Sequence, residues 1–252
     1  MEIDSKNAIK YAAQINLEGF DFARQEKLLR AHVLIVGVGG LGCYAAQTLC
    51  AAGVGEVTIV DHDTVQLSNL SRQILFCEAD IGLPKATQAK ARLLSQNYPA
   101  TVNCVVDKFD ENMSAVNGAR IDLILDCTDN MAVRLKINRF AAKSRIPLIS
   151  GAAIRMQGQL FTYEPKQTDS ACFECISSFF TEQNAACSES GILSPVVGVI
   201  GNLQALQAIK LLATYGDVES NKLSIFDAMT SKWSEFKVTR AANCHACKNS
   251  TL

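Results

Sequence analysis

The chain has only three histidines, His32, His62 and His245, and no G-x-S-x-G sequence, so a serine-hydrolase arrangement has little to stand on. It also lacks an excess of either charge. The 24 Lys plus Arg stand against 25 Asp plus Glu, and without a large basic face no nucleic-acid partner is expected. The opening Met1-Glu2-Ile3-Asp4-Ser5-Lys6 lacks the basic-then-apolar order of a signal peptide, and no apolar run is read as reaching the roughly 18 to 20 residues that span a bilayer. No membrane partner and a cytoplasmic location follow as expectations. Internal repeats and low-complexity stretches are absent as well.

What is present is a sizeable apolar fraction, 48% of 252 residues, enough to bury one large core. Ten cysteines might suggest a secreted disulfide framework, but such frameworks belong to short chains, and four of these ten form two C-x-x-C pairs. They read as reduced thiols. Residues 1–30, with scattered apolar positions such as Ile9, Phe20 and Leu28, read as an N-terminal helical arm, and 31–252 as a single domain. Val33 to Val36 is a continuous apolar run ending in glycines, Leu41 to Ala52 is helix-permissive, Gly53 is a helix stop, and Val57 to Val60 is a second strand.

That βαβ pattern recurs. A helix opens at Pro84, strands follow at 101–106 and 121–125, a helix spans 130–143 and a short strand lies at Leu148-Ile149. The fold class expected is α/β: a Rossmann-like, twisted, mainly parallel sheet continued by antiparallel strands in the segments 159–163, 223–226 and 234–238. Between them lie a long polar loop, 164–194, and a helix from Pro195 to about Thr214.

Gly37-Val38-Gly39-Gly40-Leu41-Gly42 fits G-x-G-x-x-G where a strand turns into a helix. Bare backbone there lets a phosphate approach the amide donors and positive dipole of the helix N-terminus. Asp61, 24 residues past Gly37, stands at the end of the second strand, where a carboxylate binds ribose hydroxyls. The motif does not separate a dinucleotide cofactor from ATP, so an NAD-dependent oxidoreductase stays open here. Ser68-Asn69-Leu70-Ser71-Arg72-Gln73 and then Pro84-Lys85 add two cations and an amide, a set suited to a polyphosphate. Asp126-Cys127-Thr128-Asp129-Asn130 places acids at the carboxyl edge of the sheet. Asp129 is thus a candidate magnesium ligand, and Asp129 or Asn130 equally a helix cap.

Cys172-Phe173-Glu174-Cys175 and Cys244-His245-Ala246-Cys247 each put two thiols on a tight turn, which together make a closed tetrahedral zinc site that is structural, not catalytic. The 68 residues between the pairs mean that the metal ties the C-terminal tail onto the domain. Cys43, Cys50, Cys77, Cys104 and Cys127 sit in or beside apolar segments and read as small buried hydrophobes. Cys187, in the polar loop, is either a sulfur-transfer thiol or a bystander.

Taken together, Leu34 to Gly42, Ser68 to Gln73, Pro84-Lys85, Leu125 to Asn130, Pro195 to Leu212 and both cysteine pairs resemble, over nearly the whole chain, the bacterial relatives of ubiquitin-activating enzymes. That family comprises the molybdopterin-synthase adenylyltransferases and the sulfur-carrier adenylyltransferases of thiamine synthesis. Ser150 to Gln159 looks most like the molybdopterin branch, whereas Gln73-Ile74-Leu75-Phe76 is also at home in the thiamine branch, which stays the alternative. The resemblance implies a homodimer that uses Mg2+ and ATP to adenylate the Gly-Gly carboxylate of a small β-grasp sulfur-carrier protein. In matching positions Gly37, Gly39, Gly40 and Gly42 hold phosphates, Asp61 the ribose, Asn69, Arg72 and Lys85 the triphosphate, and Asp129 the magnesium. Ser68, Leu70, Ser71 and Asn130 complete the nucleotide-binding set, and Arg72, Lys85 and Asp129 are the catalytic candidates. One position departs: where the family carries Tyr-x-Arg-Gln, this chain reads Tyr11-Ala12-Ala13-Gln14, so a weakened, merely carrier-binding protein is the non-enzymatic rival.

Overall fold

The computed structural model describes residues 3–96, 98–116, 118–177, 191–218 and 220–247. Three short helices, α1 (Ser5–Lys10), α2 (Ala12–Ile15) and α3 (Phe22–Arg30), precede the sheet. The first βαβ unit is β1 (His32–Val36), α4 (Gly40–Ala52) and β2 (Glu56–Val60). Then come α5 (Lys85–Ser95), β3 (Thr101–Val105), β4 (Leu123–Asp126), α6 (Met131–Ser144), β5 (Leu148–Ile154) and β6 (Gln157–Tyr163). The chain closes with α7 (Ser194–Ala213), β7 (Lys222–Asp227) and β8 (Lys232–Lys237).

Among the described residues the strands form one sheet in the order β3-β2-β1-β4-β5-β6-β7-β8. The first five are parallel, and β6, β7 and β8 continue them antiparallel, as the sequence implies. Strand β1 is buried along its whole length and pairs on both sides. Its side chains alternate between two cores, which is why it reads as an unbroken apolar run. Val33 and Ile35 face the α4, α5 and α7 layer, whereas Leu34 and Val36 face α6.

One strand extends well past its sequence reading. Strand β5 runs on to Ile154, beyond Leu148-Ile149, because Gly151 to Ile154 are paired by β6 through a tight hairpin with Arg155 in the left-handed region (φ 54°). Helix α7, at 20 residues, is long and apolar enough by length and composition to cross a bilayer, although Asn202, Gln204 and Gln207 interrupt its apolar run. The fold uses it as a core helix. It packs along α4 and over β5 and β6, with Val196, Val197, Ile200, Ala205 and Ala208 buried. A Cβ at Gly201 would stand 2.5 Å from the Leu41 carbonyl, so glycine lets the two helices approach that closely.

Candidate nucleotide cleft and four-thiol site

Strand order reverses between β1 and β4, whose following chains turn to opposite faces, and this switch point is where parallel sheets open a crevice. A cleft of about 680 Å³ lies there. Gly37 makes the turn out of β1 at φ +87°, and a Cβ on it would meet the Cys127 carbonyl oxygen at 2.9 Å, so only glycine fits where the two strand ends pass. Gly42 is needed for packing too, its Cβ position lying 2.1 Å from the Gly37 carbonyl. Gly39 is not constrained in this way: a Cβ there would meet only the Gln73 side chain, at 3.6 Å, in ordinary contact. Space beside Gly39 at the α4 N-terminus is therefore open toward the cleft, as a phosphate cradle requires.

The side chains around this turn are held by hydrogen bonds. Asp61 accepts from the Val38 and Asp63 amides at 2.7 and 2.8 Å. Its burial pushes the carboxyl above the usual range against the pull of those donors. Lys85, at the start of α5 and 6% exposed, places its Nζ 2.9 Å from Asp63 Oδ2. Partial burial acts to raise Asp63, but the Lys85 hydrogen bond and charge, with His62, hold it below the usual carboxylate range. Arg72 Nη1 donates to the Ser68 carbonyl at 3.0 Å, and Asn69 is buried with its Oδ1 accepting from the Gln66 amide. Gln73, 3% exposed, lines the same cleft with an Oε1 that has no hydrogen-bond partner among the described residues. A buried acceptor left open in a cleft fits a ligand hydroxyl or N–H.

On the β4 side Asn130 is the cap of α6, accepting from the Val133 amide at 3.1 Å. That leaves Asp129 exposed at the cleft with no hydrogen bond or ion pair among the described residues. Next to it Asp126, fully buried, accepts from the Thr128 hydroxyl and the Ser150 hydroxyl at 2.7 and 2.6 Å and pairs with Arg134 Nε at 3.2 Å. Arg134 Nη2 donates to the carbonyls of Thr128 and Gly151 at 2.6 and 2.9 Å.

Of the sequence-named residues, the cleft thus gathers Gly37, Gly39, Gly40, Asp61, Asn69, Arg72, Lys85, Asp129 and Asn130 along its wall. Gly42 lies behind it. Ser68, Leu70 and Ser71 do not line it: Ser68 offers its carbonyl to Arg72, the Ser71 hydroxyl turns back to that carbonyl, and Leu70 packs on the core. Asp63, Gln73, Asp126 and Arg134 were not among the named candidates. Gln73 and Asp126 lie in segments the sequence singles out, whereas Asp63 and Arg134 do not.

The two C-x-x-C pairs come together. Cys172 Sγ lies 3.5 Å from Cys244 and 3.9 Å from Cys175, and Cys175 lies 3.5 Å from Cys247, all four sulfurs being within 4.8 Å of one another. Metal–sulfur bonds of about 2.3 Å place tetrahedral sulfurs about 3.8 Å apart, so the cluster fits one four-coordinate ion. Asn138 Nδ2 and the Ala241 amide point N–H groups at Cys172 and Cys175 from 3.4 and 3.5 Å, the support thiolates take from their surroundings. Cys43, Cys50 and Cys127 are buried as expected, and burial pushes the first two up to about 12. Cys77 is instead exposed, beside Asp80 and Arg92, and Cys104 is half-buried. Cys187 lies outside the described residues.

Residues 11–248 match the ThiF family. The chain belongs to the ThiF family. Among ThiF-family relatives it is 46% identical to the molybdopterin-synthase adenylyltransferase of Escherichia coli over 98% of both chains. It is 38% identical to the sulfur carrier protein ThiS adenylyltransferase of the same organism, again over 98% of each. Its fold is similar to that of E. coli MccB solved with MccA-N7isoASN, with a TM-score of 0.81 at 22% identity over 98% of this chain and 76% of that one. The ThiF match takes in α2 and Ala13. Tyr11 is buried under Gly53, and Gln14 reaches Gln25 and the Ala52 carbonyl, so both anchor α2 to the body while Ala13 faces out.

Proposed function

We propose that this chain is an adenylyltransferase that uses ATP to activate the C-terminal carboxylate of a small sulfur-carrier protein in molybdenum cofactor biosynthesis. The observation that carries this reading is the single cleft joining the glycine turn to Arg72, Lys85 and Asp129. A polyphosphate calls for that set, and a nicotinamide does not. The 46% identity to a molybdopterin-synthase enzyme, against 38% to the thiamine-type one, supports the molybdopterin branch. The carrier is proposed to be a β-grasp protein ending in Gly-Gly. The enzyme is proposed to be a cytoplasmic homodimer, with residues 1–30 an N-terminal helical arm and 31–252 the adenylyltransferase domain.

The reaction follows from charge and position. A carboxylate oxygen of the carrier attacks the α-phosphorus, a new O–P bond forms, and the bond to the β-phosphate oxygen breaks with its electron pair leaving on pyrophosphate. The nucleophile is already ionised, so no general base is required. The amides at the α4 N-terminus and the Arg72 and Lys85 cations hold the phosphates, and Asp61, pinned by two backbone amides, is positioned for the ribose. Asp129 would hold magnesium, which when bound offsets negative charge on the triphosphate. The test is pyrophosphate exchange into ATP with purified carrier. Exchange that appears only with a carrier bearing its free C-terminal carboxylate is expected, and tight NADH binding with no exchange would overturn the reading.

The four thiols are proposed to hold zinc in a structural role. One zinc per chain is expected by elemental analysis, and Cys244→Ser should lose the metal and release the tail. If the loss is roughly 3 kcal/mol, the melting temperature falls by about 6–12 °C. Metal-free protein purified without chelator, with an unchanged melting temperature in the variant, would remove the metal from the account.

Ala13 gives a gain-of-function prediction. An arginine supplied in trans to a phosphoryl centre is worth roughly 10³ to 10⁵ in rate where the transition state depends on it. Arg72 and Lys85 already serve this cleft, so Ala13→Arg is expected to raise the exchange rate by a smaller factor, about 10-fold, equal to about 1.4 kcal/mol. Exchange kinetics no faster than the parent would show that this outward-facing position has no part in catalysis.

A further inference from the structure

Phe173 belongs to one of the thiol pairs and also to the cleft. It sits between Cys172 and Cys175, is 2% exposed, and forms part of the cleft wall. Its backbone amide donates to Asn138 Oδ1 at 2.8 Å, and the Nδ2 of the same Asn138 donates to Cys172 Sγ at 3.4 Å, so α6 fixes the turn that carries the ring. The ring lies 5.2 Å from the Arg134 guanidinium carbon, with Phe161 packed edge-on against it. Arg134 directs three of its five in-plane N–H groups to Asp126 Oδ2 and to the carbonyls of Thr128 and Gly151. In-plane bonds are directional and already favour one plane for a guanidinium, and a surface packed on its face adds resistance to tilting out of that plane. Here an aromatic face does so, in a desolvated place where a cation–π contact counts most.

We propose that Phe173 is a positioning residue for the Thr128-Asp129 turn: the thiol-pair turn sets the ring, the ring steadies the plane of Arg134, and Arg134 sets the carbonyl immediately before Asp129. This deepens the proposed function and rests on its reading of Asp129 as the residue at which magnesium joins ATP. It assigns the four-thiol site a route into the nucleotide cleft made of named contacts, beyond tethering the tail.

The test is ATP binding by calorimetry at graded magnesium, which needs no carrier. Phe173→Leu keeps an apolar side chain and removes the aromatic face. The magnesium concentration for half-maximal ATP binding is expected to rise about tenfold, part of the roughly thirtyfold that a desolvated cation–π contact can supply, with the metal content of the four-thiol site unchanged. In an Arg134→Lys background, which keeps the charge and loses the fork, the same change at Phe173 should move that concentration by less than about twofold, because coupled residues are not additive.

An unaltered magnesium requirement in folded Phe173→Leu would overturn the proposal. So would a full tenfold shift persisting beside Arg134→Lys, since the ring would then act by another route. If Phe173→Leu does not fold, Phe173→Met takes its place, and loss of metal or of cooperative unfolding in both would make the ring a folding element of its turn and overturn the proposal likewise. Carrier-dependent exchange by the parent is measured separately, and its absence would count against the adenylyltransferase reading without altering the binding comparison.

Discussion

Arg134→Met is expected to cost about 3–5 kcal/mol of folding stability, the range for removing one partner of a buried ion pair. The pair itself adds little net energy, because taking two charges out of water offsets most of their attraction. Breaking it is another matter. Asp126 is fully buried, and without Arg134 it would keep only hydroxyl and amide donors from Ser150 and Thr128 for a full charge. Two further acceptors, the carbonyls of Thr128 and Gly151, would lose their donor at the same time. Chemical denaturation reads the loss directly. Adding Asp126→Asn to Arg134→Met removes the orphaned charge and is expected to return more than half of it. A single variant within about 1 kcal/mol of the parent would mean that water reaches Asp126, and the pair would then be worth no more than one on the surface.

Neither half of that pair was legible in the sequence as a pair. Asp126 ends a run, Leu123-Ile124-Leu125, whose apolar character announces β4, and the acid marks only the edge of the sheet. Arg134 lies on the next element, and α6 has a buried face on which Arg134 stands beside Ile137 and Asn138. Local pattern reports what a segment buries, not which polar group it buries against which. The same reason hid Asp63: nothing at its own position says that Lys85, 22 residues later and on another element, will reach it.

By contrast β1, α4 and β2 were legible almost to the residue. Each has a signal complete within itself: an apolar run for a doubly covered strand, glycines for the turn and its close packing, and Gly53 as a left-handed stop. Strand β5 was legible only in part, since Gly151 to Ile154 have no strand signal of their own and are extended because β6 pairs with them. The thiol cluster was legible because C-x-x-C fixes two sulfurs by turn geometry alone, leaving only the meeting of the two turns to the fold. The choice between Asp129 and Asn130 as helix cap was open to sequence. The structure resolves it by the hydrogen bond to the Val133 amide, which Asn130 alone accepts.

That assignment determines what Asp129→Ala should do. Asn130 keeps the cap, Asp129 is exposed, and no described residue relies on its carboxylate. Folding stability is therefore expected to stay within about 0.5 kcal/mol of the parent, as for a surface change away from structural features. Catalysis should fall steeply. Loss of one preorganised electrostatic contact to the charge that develops in a transition state typically costs about 10²–10³ in rate. On the proposed reading Asp129 would hold magnesium, which when bound would offset charge on the triphosphate, so carrier-dependent exchange is expected to drop by that factor, with partial recovery as magnesium is raised. The comparison with Arg134→Met separates two ways of damaging one cleft. Arg134→Met should lose stability and activity together, whereas Asp129→Ala should lose activity from a molecule that unfolds like the parent. Exchange by Asp129→Ala within about threefold of the parent, far inside the range set by a lost electrostatic contact, would take Asp129 out of the mechanism. The charge on the triphosphate would then rest on Arg72 and Lys85 alone.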